Sequence, residues 1–93
     1  MPIERAQLER VLGRINLEHR PGQEVRLVAF SPKGFTLSFF DLPMPEGSCL
    51  DEHFTEVQFA LNAQEQVDAG IVGARYDEAE RRYLVEYEVI EWD

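Results

Sequence analysis

Cys49, Asp51, Glu52 and His53 fall within the five residues "CLDEH", and each carries a group able to ligate a metal or move a proton. The Cys-x3-His interval would let both side chains reach one ion. A closed zinc site draws its four ligands mainly from Cys and His, and the whole chain holds one Cys and two His. The stretch therefore reads as an acidic loop, with no metal or cofactor expected. As a thiolate pair, Cys49 and His53 lack a third orienting group and a glycine loop to stabilise an oxyanion. Adjacent carboxylates also occur at Asp51 and Glu52, Glu78 and Glu80, and Glu86 and Glu88. Acid–base work requires one carboxyl of a pair to be desolvated so that its pKa rises. Turns and an outward strand face do not provide that. No G-x-G-x-x-G, P-loop or G-x-S-x-G pattern is present. No catalytic residue is assigned, and a non-enzymatic protein is the expectation.

What those carboxylates do provide is a field. The formal net charge is −9, spread unevenly: residues 1–40 hold six basic and four acidic groups, residues 41–93 three basic and fourteen acidic. Between Asp41 and Ala74 there are seven acidic residues and no Lys or Arg. A surface of that sign repels phosphate backbones, so direct nucleic-acid binding is excluded as an expectation. A positively charged protein is the matching partner.

The elements that must position these groups follow from periodicity. Ile3, Leu8, Val11, Leu12 and Ile15 recur at helical spacing, predicting an amphipathic helix over 2–16, with Pro2 in its first turn. "VRLVAFSPKGFTLSFFD" reads as two strands, 24–30 and 35–41, joined by Ser31-Pro32-Lys33-Gly34, with Gly34 expected to supply a positive φ. Residues 42–53, with two prolines and a glycine near their start, read as a loop. Val57, Phe59 and Leu61 alternate with Glu56 and Gln58, which suggests a strand over 54–61. Further strands are expected at 66–76 and 82–91, although Asn62 could instead cap a short helix ending at Gly70.

The resulting expectation is a single α+β domain, 1–93, with one N-terminal amphipathic helix packed on a four- to five-stranded antiparallel meander sheet. Chain length allows one core, and a lone cysteine excludes an internal disulfide framework. The first ten residues lack the apolar run of a signal peptide and no span-length apolar stretch occurs, so a cytoplasmic protein without a membrane anchor is expected.

Side chains alternate across a sheet, so one face carries Phe35, Leu37, Phe39, Val57, Phe59, Leu61, Tyr83, Val85, Tyr87 and Val89 under the helix. The opposite face would then hold Val28, Phe30, Phe40, Glu56, Gln58, Glu86, Glu88, Ile90 and Trp92. Arg81, Arg82 and Lys33 would sit at solvated hairpin tips. From this comes the functional expectation of an interaction protein of inhibitor, immunity or chaperone type. Glu56, Glu86 and Glu88 would steer a basic partner, and Trp92, Ile90 and Phe40 would anchor it. The competing expectation is a homodimer or larger assembly pairing these faces, with Arg26 or Arg75 of one subunit opposite the glutamates of the other. A small enzyme or ligand-binding module ranks third.

Overall fold

The computed structural model describes residues 3–18, 24–40 and 50–90, without the side chains of 50–52. Helix α1 (Arg5–Asn16) precedes strands β1 (Arg26–Ser31) and β2 (Gly34–Phe40), helix α2 (Leu50–Glu65), and strands β3 (Asp68–Asp77) and β4 (Arg82–Ile90). The sheet is antiparallel in the order β1-β2-β4-β3. It has four strands and is not a meander, because α2 carries the chain from β2 past the position of β4 to the far edge.

Helix α1 forms where its stripe predicts. The Glu4 N–H donates to Gln7 Oε1 at 2.8 Å, and Leu8, Val11, Leu12 and Ile15 are buried. Its end is tied to the sheet by Asn16, whose amide donates to the Val25 carbonyl and accepts from the Val25 N–H at 2.9 and 2.8 Å. The Ile3 N–H donates to the Pro32 carbonyl, fixing the other end of α1 against the β1–β2 turn.

The expected strand over 54–61 is instead the body of α2. Phe54, Val57 and Leu61 are buried at helical spacing, whereas Phe59, the middle member of the supposed alternation, is 73% exposed. Leu, Ala, Gln and Glu dominate the segment and favour a helix. Gln66, at φ 57°, ends it in the left-handed region with its N–H on the Asn62 carbonyl, and Gln58 donates to the Ala69 carbonyl of β3 at 2.8 Å. Residues 50–53, expected within a loop, form the first turn of this helix; residues 41–49 lie outside the described ones.

Both helices pack on one face of the sheet. Phe35 stacks on Tyr87, Phe39 meets Phe54 edge-on, and Leu37, Val85 and Val89 complete the shared core. The Tyr87 hydroxyl donates to the Phe54 carbonyl at 2.8 Å, and burial pushes its pKa up from the usual tyrosine value.

Each edge strand carries a β-bulge, at Val28 in β1 and at Val72 in β3. The first corrects the expected parity. An extra residue at Val28 turns Phe30 toward the helices, where it pairs with Phe35 and packs on the core, and not to the outer face. Gly34 also differs from expectation, since its φ lies outside the left-handed region. A Cβ there would lie 2.7 Å from the Tyr87 carbonyl oxygen, so close strand approach is what requires glycine.

Candidate interaction surface

The register defines the outer face row by row. Glu88 lies between Gly34 and Gly70, Glu86 between Thr36 and Gly73, Leu84 between Ser38 and Arg75, and Arg82 between Phe40 and Asp77. Ala29 continues the Glu86 row onto β1, and Arg26 continues the Leu84 row. No described helix crosses this face. Short residues beside Glu86 leave a shallow concavity of about 280 Å³, lined in part by Ala29, Ser31, Thr36, Val72 and Glu86.

Of the six residues expected to bind a partner, the face brings together Glu86, Glu88 and Ile90, all exposed, with Ile90 at 42%. Glu86 and Glu88 make no ion pair among the described residues. Phe40 is 8% exposed and meets the ring of His53 edge-on, so it is a buried contact between β2 and α2 and not part of the exposed face. Glu56 lies on α2 beside Arg14 and Leu17, on the helical side of the molecule, because the segment is a helix. Trp92 lies outside the described residues. So does Cys49, and no metal-binding group of three His, Cys, Asp or Glu occurs among the described residues.

Arg82 overturns the solvated-tip expectation. It is buried, reaching from β4 across β2: Nε donates to Ser38 Oγ, and Nη2 donates to the Ser38 carbonyl at 2.9 Å and to the Glu24 carbonyl. Burial first, and then the Arg26 charge, lower its pKa, while Glu24 and Glu80 oppose that. The turn before it is closed by Asp77, whose Oδ1 accepts from the Ala79 and Glu80 N–H groups, and by Arg81 at φ 56°. Arg82 is the first residue of β4 and shares the Leu84, Glu86, Glu88 parity. That parity was the available signal for placing it on the sheet.

The outer face is therefore neither aromatic nor uniformly acidic among the described residues. Glu86 and Glu88 lie toward Ile90, and Arg26 and Arg75 lie toward the other end, where Arg26 pairs with Glu24 at 3.2 Å and Asp77 stands beside the buried Arg82. Bulged Val72 adds an exposed apolar side chain, as does Val28 at the opposite edge. A surface of this kind can recognise another surface by charge and shape.

Comparison of the chain with protein-family models, curated proteins and solved structures returns no match. No described helix is long and apolar enough to cross a membrane.

Proposed function

We propose that the chain is a non-enzymatic protein-interaction module, of inhibitor, immunity or chaperone type, whose outer sheet face docks a positively charged protein surface. One observation carries this reading: Glu86 and Glu88 stand exposed among glycines and small residues on a sheet face that no described helix covers, with Val72 and Ile90 exposed beside them. Long carboxylate side chains on a low floor are accessible to a cationic group from several directions. Ile90 and Val72 supply the apolar contact that charge alone does not.

The test is capture of a basic protein by the wild type, by Glu86→Lys with Glu88→Lys, and by a control carrying Glu78→Lys with Glu80→Lys at the β3–β4 turn. The face variant is expected to lose the partner and the turn variant to keep it. With the purified partner, the association rate should fall at least about tenfold between low and physiological salt, as steered encounters do. A partner retained by the face variant, or a salt-insensitive rate, overturns the reading.

A further inference from the structure

We infer that the cationic surface docked by the acidic end of this face is the basic end of the same face on a second copy of the chain. The inference rests on the outer face being a docking surface and names its occupant.

The argument is one of register. A face-to-face pair of identical sheets is related by a two-fold axis lying in the interface. An axis parallel to the strands would set the Glu86 and Glu88 rows of one copy over the same rows of the other, and like charges would meet. An axis perpendicular to the strands, passing between the Leu84 and Glu86 rows, reverses their order. The Glu86 row of each copy then faces the Leu84 row of the other, and the Glu88 row faces the Arg82 row.

Two complementarities follow from the pairing already described. Arg75 faces Gly73 of the second copy and Arg26 faces its Ala29, so each long basic side chain lies over one of the smallest positions of the Glu86 row. A Cβ built on Gly73 meets nothing nearer than the Glu86 carboxylate, at 3.8 Å, which leaves that space open to an incoming guanidinium. Glu86 of the second copy arrives over Leu84, about one strand spacing, roughly 4.8 Å, to the side of Arg75 and within reach of a salt bridge, while its Glu88 comes over Arg82, one row further along. Stacked sheets stand about 10 Å apart, a gap that glutamate and arginine side chains span and that glycine and alanine leave empty.

Size sets the expected strength. Four strands at about 4.8 Å and eight residues at about 3.3 Å give a face on the order of 500 Å² per copy, near the small end of specific interfaces. A micromolar dimer is the consequence. The net charge of −9 on each copy opposes association at long range. At about 0.1 M salt the screening length is about 10 Å, which hides most of that repulsion while leaving direct pairs intact.

The experiment is light scattering at about 0.1 M salt, over protein concentrations from micromolar to about 0.5 mM. The wild type is expected to rise toward twice the 10.8 kDa chain mass. Glu86→Arg with Glu88→Arg replaces the two exposed carboxylates of β4 by cations, and Arg75→Glu makes the face more acidic. Each variant alone should stay monomeric with an unchanged circular-dichroism spectrum, and an equimolar mixture of the two should dimerise. Rescue by mixing cannot come from misfolded protein. A wild type that is monomeric throughout, or a dimer indifferent to both variants, overturns the self-pairing. In the first case, capture of a foreign basic protein lost by the face variant would still uphold the docking surface, so the two readings fail separately.

Discussion

Val85, Tyr87 and Val89 of β4 are buried under two helices, while Glu86 and Glu88, interleaved with them, stand in solvent. The same contrast runs through β2, where Phe35, Leu37 and Phe39 face the core and Gly34 and Thr36 face outward. One backbone thus serves two surfaces of opposite demand. The inner one excludes water and is packed to near-solid density. On the outer one the residues flanking Glu86 and Glu88 on the neighbouring strands are short: Gly34, Thr36, Gly70 and Gly73. Stability should therefore reside on one face and recognition on the other, and substitutions can test how cleanly the two separate.

The largest effect is expected from Phe39→Ala, which removes a ring packed edge-on against Phe54 and should cost about 3–5 kcal/mol. Urea unfolding checks this against Thr36→Ala on the outward side of the same strand, expected to stay within about 1 kcal/mol. Equal losses would break the division. Gly34→Ala sharpens it from the other direction, as an outward position that does not tolerate change. Its Cβ would strike the Tyr87 carbonyl oxygen, so a loss of roughly 1–3 kcal/mol is expected, whereas Gly73→Ala meets only a flexible carboxylate and should be near neutral.

Smaller still is Tyr87→Phe, which leaves the Phe54 carbonyl without its donor at a cost of about 1 kcal/mol near neutral pH. Its pH dependence carries a sign. Because burial raises the folded-state pKa, the unfolded chain releases this proton first, and wild-type stability should fall as pH climbs above about 10. The phenylalanine variant should show a shallower decline in urea titrations across that range.

Much of this division was legible before the structure. The α1 stripe, the β1–β2 turn and the alternation of β4 each obey a single period, and all three formed. Residues 54–61 obey two. Val57, Phe59 and Leu61 satisfy a strand, and Phe54, Val57 and Leu61 satisfy a helix. The sixteen residues of α2 contain no Gly or Pro, a length that favours the helix. That one choice carried Glu56 to the wrong surface and hid the contact that buries Phe40 against His53. Phe30 was misplaced for another reason, because a bulge leaves no mark in a hydrophobic pattern and reverses parity for every residue after it. The Glu86 and Glu88 positions survived these errors because their strand is regular and central. The basic end of the face was harder to see, since Arg26, Arg75 and Arg82 come from three strands and become neighbours only once the order β1-β2-β4-β3 is known.

The paired bulges have a last consequence, for growth. A sheet lengthens sideways when a new strand hydrogen-bonds to a regular edge, and such addition has no natural end, which is how fibrils propagate. Here both margins are interrupted, at Val28 and at Val72, so neither offers an unbroken ladder to a newcomer. Extension is discouraged on both flanks while the broad surface between them stays open. Under the proposed two-fold pairing, assembly through that surface would close at two copies, so that association would not lead to polymerisation.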